Sequence, residues 1–324
     1  MPLRFATTRR MPTRAAAASL EDALAYAERH QLHALLVYAG GSLLFERYGG
    51  GFDIGKPHAL YSGTKSFWGV AASAAQDDGI LDLDETAADT LATWREDAWK
   101  RTITVRQLLT MSAGFPFGGL GAAVPAFDAA AGVPLRDRPG TAFTYGGIPL
   151  QAFGAFFSRK LAPRGESPLA YLQRRILTPI GLTYTAWRTL PDGTHTMPTG
   201  AQLTAREWLK YGRLILGEGQ FEDARVVSRA AVQRCFVPSA ANPRYGLGFW
   251  LASDNAGTDI AYASGAGGQG LYIVPARATV VVHFGKSNSF KHDAFLRRLL
   301  GIRVQAPGVD RRGAHGPDLE IPLL

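Results

Sequence analysis

The chain has 324 residues, 46% apolar and 19% charged, with a formal charge of +8. That length and apolar content supply a sizeable core and exclude a largely disordered chain. Lys and Arg are scattered and often sit beside acids, as in "TAREWLKYGR", with no basic run interleaved with aromatics, so nucleic acid is not an expected partner.

The N-terminal stretch "MPLRFATTRRMPTRAAA" is Arg-rich and lacks the apolar segment of a secretory signal. Residues 1–17 read as a loose extension and the expected location is cytoplasmic, with a periplasmic or secreted location open to a chain with a different start. "SLEDALAYAERH" (19–30) predicts a helix capped by Ser19, with acids in its first turn. "HALLVYAGGSLLFERYG" predicts a β-hairpin turning at Gly40-Gly41. "GTKSFWGVAASAAQDDG" predicts a buried helix ending at Gly79, and "TVRQLLTMSAG" a short helix closed by Gly114. Residues 115–140, rich in Gly, Ala and Pro, read as a loop. "GGIPLQAFGAFFSRKLA", "PLAYLQRRIL" and "TAREWLKYGRLIL", the last capped by Thr204, continue the helical pattern. Four strand-like runs follow, "YGLGFWLA", "GTDIAYASG", "GQGLYIV" and "TVVVHFG", and "SFKHDAFLRRLLG" closes as a helix.

Connections among the late strands are too short for crossover helices, so the sheet should be antiparallel. The expected class is α+β: an antiparallel sheet flanked by helices, with an inserted mainly helical lobe. Expected boundaries are 18–60 plus 201–302 for the sheet lobe, 61–200 for the helical lobe, and 303–324 for a peripheral tail. No apolar stretch is long enough for a membrane span. The single cysteine, Cys235, excludes an intrachain disulfide and reads as a buried small apolar residue. The seven histidines lack metal-ligand spacing, and His30, His33 and His58 read as structural or solvated.

Chemistry enters at "LYSGTKSFWG" (60–69). Ser62 and Lys65 are three residues apart, so on a helix they share a face. Ser62 is the only serine followed by lysine at that spacing. A lysine kept dry by Tyr61, Phe67 and Trp68 has a depressed pKa and can take a hydroxyl proton near neutral pH. A second element is Tyr145 in "RPGTAFTYGGIPLQ", at a loop-to-helix transition. A phenol beside a lysine ammonium is expected to have its pKa lowered; a tyrosine packed in the core with a local hydrogen bond is the other reading. The third element, "YASGAGGQGLYIVP", places small residues at a strand edge, where backbone N–H groups near Ala266 and at Ser62 could form an oxyanion hole; a plain Gly-rich hairpin is its other reading.

In this order the three elements resemble the serine β-lactamase and penicillin-binding-protein superfamily, most of all its class C-like branch with family VIII carboxylesterases, DD-peptidases and 6-aminohexanoate-oligomer hydrolases. "DDGILDLDE", "ITVRQLLTMSAGF", "LTAREWLKYGRLIL" and "YGLGFWL" extend the resemblance over residues 33–285. It implies a β-lactamase-like fold with the site between the helical lobe and the sheet, and no metal or organic cofactor. It implies Ser62 as acyl-accepting nucleophile, Lys65 as its proton partner and Tyr145 as second base and leaving-group acid. Ser264, Gly265 and Ala266, with Ser62, would form the oxyanion and substrate-binding set. Either Lys65 or Tyr145 can take the first proton.

Two positions depart from the pattern. Gly147 stands where the Tyr-x-Asn motif has its amide, and Ala263 where the third motif has a cation. Arg244 or Lys286 could supply a cation instead. The expected function is a serine hydrolase working through an acyl-enzyme on small-molecule esters or amides, carboxylesterase-like first, with β-lactamase and DD-peptidase activity weaker. The alternative is a non-catalytic or nearly inactive ligand-binding module that retains the fold. Oligomeric state is left open.

Overall fold

The computed structural model describes residues 14–253 and 259–300. Helix α1 (Arg14–Arg29) leads into β1 (Leu32–Ala39), β2 (Ser42–Tyr48) and the short β3 (His58–Ala59). Helices α2 (Lys65–Asp77), α3 (Val105–Leu109), α4 (Phe127–Gly132), α5 (Ile148–Leu161) and α6 (Pro168–Leu172) follow. Then come β4 (Ala186–Trp187), β5 (Ala201–Leu203), α7 (Ala205–Leu216), β6 (Gln220–Phe221), β7 (Ala224–Arg225) and α8 (Arg229–Cys235). The last elements among the described residues are β8 (Trp250–Ser253), β9 (Asp259–Gly265), β10 (Gln269–Val274), β11 (Thr279–Gly285) and α9 (His292–Leu300).

Six strands form one antiparallel sheet in the order β2-β1-β11-β10-β9-β8, and with its flanking helices the molecule is an α+β protein. The β1–β2 turn uses Gly40 and Gly41 at positive φ, a backbone twist that suits a tight hairpin. β1 pairs with β11, placing Leu35 opposite His283, so strands from the two ends of the chain are neighbours. Every residue of β10 and β11 is buried, which requires cover on both faces. On one face α7 lies so close that a Cβ at Gly212 would sit 2.5 Å from Val280 and 2.8 Å from Leu271. On the other, Tyr272 and His283 meet Phe295 of α9.

Helix α2 is buried on all sides from Lys65 to Ala75. Such a helix has no solvent face and is read as a core element. Its small residues let neighbours approach: a Cβ at Gly69 would lie 2.0 Å from the Leu247 carbonyl oxygen. Trp68 Nε1 donates to Met197 O at 2.7 Å, and Tyr211 of α7 donates to Ser66 O at 2.9 Å. These bonds anchor the start of α2 between the sheet side and the 197–198 segment.

Several local expectations are corrected. α1 begins at Arg14, within the stretch read as a loose extension, so Ser19 is inside the helix rather than its cap. The run Arg14–Ala18 is Ala-rich, and alanine is the strongest helix former. α3 ends at Leu109, five residues before Gly114, because Met111 adopts a left-handed φ of 58°. The 115–140 loop contains α4, whose Phe127, Ala130 and Ala131 are buried where it packs on α5. Of "YGLGFWLA" only Trp250 onward is strand, since Gly246–Gly248 crosses α2. Residues 1–13, 254–258 and 301–324, including the expected tail, lie outside the described residues.

Gly→Ala in a helix interior ordinarily gains about 1 kcal/mol. Gly69→Ala should instead lose about 1–3 kcal/mol, the range for overpacking, because the carbonyl it meets belongs to backbone. Urea unfolding measures the sign; a gain in stability would refute the close crossing of α2 by Leu247.

Candidate active site

The segment after β3 turns sharply. Leu60 N–H bonds to Ala201 O at 2.9 Å, and Tyr61 takes a left-handed φ of 47°, which costs a non-glycine residue roughly 1 kcal/mol. A single 3₁₀ turn (Tyr61–Thr64) then carries Ser62 into α2, whose first residue is Lys65. Gly63 permits this turn to rest on α7, since a Cβ there would be 2.8 Å from the Trp208 ring.

Lys65 is 1% exposed. Its ammonium donates to Ser62 Oγ at 3.0 Å and to Pro198 O at 3.1 Å, and lies over the Tyr145 ring, 4.8 Å from the centroid. Among the described residues no carboxylate pairs with it. Burial therefore pushes its pKa down from 10.5 to about 7.

Tyr145 precedes α5 by three residues and is also buried. The expectation that the lysine lowers its pKa is corrected. Burial raises it to about 12, opposed by hydrogen bonding with Ser62 and with the Trp250 indole. Lys65 does not act on it in this way, because the ammonium faces the ring and is itself destabilised by burial. Trp250 and Tyr245 enclose the phenol at ring distances of 5.4 and 6.0 Å. Trp250 was not foreseen as a site residue, although "YGLGFWL" carried it.

Position 147 is explained by space. A Cβ on Gly147 would lie 1.7 Å from Gly119 O and 2.9 Å from Pro198 Cγ. The 118–119 backbone and Pro198 thus fill the room of an asparagine side chain. The Pro198 carbonyl gives Lys65 an acceptor on the same side.

β9 brings the third element to Ser62. Gly265 abuts the chain just before the serine, where a Cβ would be 2.1 Å from Leu60 O. Ala263 and Ser264 are buried on β9. Ala266 opens a short 3₁₀ turn and lines, with Ser62, Tyr61, Ala59 and Arg188, a cavity of about 320 Å³. Ser264, Gly265, Lys65 and Tyr145 do not line it. Neither Arg244 nor Lys286 borders it; Lys286 instead influences His33 and His58. These two histidines bond to each other at 3.0 Å, and His58 to Ala59 O at 2.8 Å, a structural pairing. Cys235 is buried in the core. Among the described residues no three His, Cys, Asp or Glu side chains cluster as a metal site, and no helix is long and apolar enough to cross a membrane.

A family model described as Beta-lactamase matches residues 19–304. The chain belongs to the Beta-lactamase family. Solved structures similar to this Beta-lactamase-family chain include a family VIII carboxylesterase, 15% identical with a TM-score of 0.73, over 90% of this chain and 98% of that one. A penicillin-binding protein homologue from Caulobacter crescentus is 18% identical with a TM-score of 0.71, over 90% and 97%. An octameric penicillin-binding protein homologue from Pyrococcus abyssi is 17% identical with a TM-score of 0.69, over 88% and 77%. No curated protein matches the chain. The fold is β-lactamase-like, and the protein is a serine hydrolase of the β-lactamase-related type.

The depressed pKa of Lys65 has a consequence for stability. Between about pH 7 and 10.5 the unfolded chain holds a proton at this site that the folded chain lacks. Stability from Lys65 therefore rises with pH across that window. In Lys65→Met that rise should vanish. Urea unfolding of both proteins from pH 6.5 to 10 tests it; parallel stability curves would contradict the buried ammonium.

Proposed function

We propose that the protein hydrolyses carboxylic esters, and secondarily amides, through an acyl-enzyme on Ser62. The observation that carries this reading is the 3.0 Å bond between Ser62 Oγ and a buried lysine nitrogen whose pKa is about 7. A general base works best with a pKa near the operating pH. Lys65 meets that condition and Tyr145, at about 12, does not, so neutral Lys65 takes the serine proton as Oγ attacks the carbonyl carbon.

Ser62 and Ala266 each sit in the first turn of a 3₁₀ segment, where backbone N–H groups have no intrahelical acceptor. Those two N–H groups receive the negative oxygen. The bond to the leaving oxygen then breaks, and Tyr145 gives that oxygen its proton. The phenolate so formed is held by the Trp250 N–H and regains a proton from the water that enters as the leaving group departs, that water in turn taking one from the Lys65 ammonium. Water attacks the acyl-serine, its proton passes to Lys65, and the acid departs as Ser62 is reprotonated. Ala263 offers no cation beside the scissile bond, which favours esters and amides without a carboxylate there over penicillins and cephalosporins.

Ser62→Ala should abolish hydrolysis of short p-nitrophenyl esters with an unchanged circular dichroism spectrum. Mass spectrometry should find a fluorophosphonate adduct on Ser62 in the wild type alone. Wild-type turnover by the variant would remove Ser62 as nucleophile.

kcat/KM should climb with pH through an apparent value near 7, as Lys65 loses its proton. Lys65→Ala and Tyr145→Phe should each lose on the order of a hundredfold or more. A pH profile flat from 5 to 9, or near-silent variants, would rule out this proton path.

A further inference from the structure

Arg188 follows β4 directly, and its backbone is pinned on both sides: its N–H bonds to Gly200 O at 3.1 Å, and its carbonyl accepts from Thr196 N–H at 3.0 Å. The side chain is thereby aimed across the cavity mouth. Its guanidinium donates to Gly121 O at 2.5 Å and to Ala122 O at 3.3 Å. Two carbonyls position the group without neutralising it, and a guanidinium has five N–H donors. Among the described residues no carboxylate forms an ion pair with it. Among those lining the cavity, it is the one charged side chain. The remaining wall is made of small and neutral groups, with Thr199 and Gln202 as polar neighbours.

The geometry points to Arg188 as the receptor for a carboxylate on the substrate, remote from the scissile carbonyl. The substrate class is then an ester or amide whose cavity-filling acyl chain ends in a carboxylate. This rests on the ester-hydrolase reading and adds the substrate's charge to it. The planar fork of a guanidinium suits bidentate contact with a carboxylate, and because Arg188 is exposed that contact weakens as salt rises. The volume of about 320 Å³ lies at the small end for ligand pockets, which fits a short acyl chain.

The test compares p-nitrophenyl hydrogen adipate with its methyl ester, so that the two differ in one charge. The wild type should favour the carboxylate by about tenfold in kcat/KM, mainly through KM, with the ratio shrinking in high salt. Arg188→Gln should bring the ratio to about one and Arg188→Glu below one, while Arg188→Lys should retain part of the preference. In parallel, monomethyl and dimethyl adipate are titrated calorimetrically into Ser62→Ala, where the monomethyl ester should bind more tightly. A wild-type ratio near one, or a ratio preserved in Arg188→Gln, overturns the assignment. If the Arg188 variants fail to fold, equal binding of the two adipates by Ser62→Ala overturns it. Calorimetric preference without turnover of either ester overturns the hydrolase reading and leaves Arg188 as receptor. Turnover without preference overturns Arg188 alone.

Discussion

An ammonium held out of water without a carboxylate is the constraint on which this site depends. Lys65 has a hydroxyl, a carbonyl and an aromatic face around it and no opposite charge among the described residues. Pairing it with an acid would have kept it protonated and useless as a base near neutrality. Burial alone does the opposite. The whole of α2 from Lys65 to Ala75 is enclosed, so the cost of desolvating one charge is carried by the packing of a core helix.

The same enclosure accounts for the departures from the family pattern. Gly147 is not a gap in the site, because the 118–119 backbone occupies that volume and Pro198 supplies the acceptor. Gly265 lets β9 approach Leu60, and so brings Ala266 to the cavity wall beside Ser62. Backbone atoms do here what side chains do in the more familiar motifs. Tyr145 is treated likewise: it has no cation on its hydroxyl and instead has the Trp250 indole, a neutral donor that survives burial at low cost.

In the proposed reading, a neutral inner site and a charged mouth divide the work of recognition. The reaction centre is lined by groups that carry no fixed negative charge, while Arg188 stands at the cavity wall with its charge uncompensated by acids among the described residues. Charge near the mouth can select a substrate without disturbing the proton affinity of Lys65, since exposed charges are screened by water and salt.

The pairing of Ser62 with Lys65, the position of Tyr145 and the antiparallel sheet were legible in the sequence. They follow from local spacing, turn residues and apolar periodicity, which act over a few residues. The start of α1, the early end of α3 and the helix inside 115–140 were not, because burial against distant elements or a single left-handed residue decided them. The direction of the Tyr145 shift also escaped sequence reasoning, since it turns on whether the ammonium faces the ring or the hydroxyl. Trp250, Pro198 and Arg188 lie between 126 and 188 residues from Ser62 in the chain, too far for local spacing to bring them to the site. Sequence by itself determined which groups could react; tertiary structure decided which of them are dry, which are charged and what they face, because solvation and long-range contact are properties of the folded volume and not of neighbouring residues.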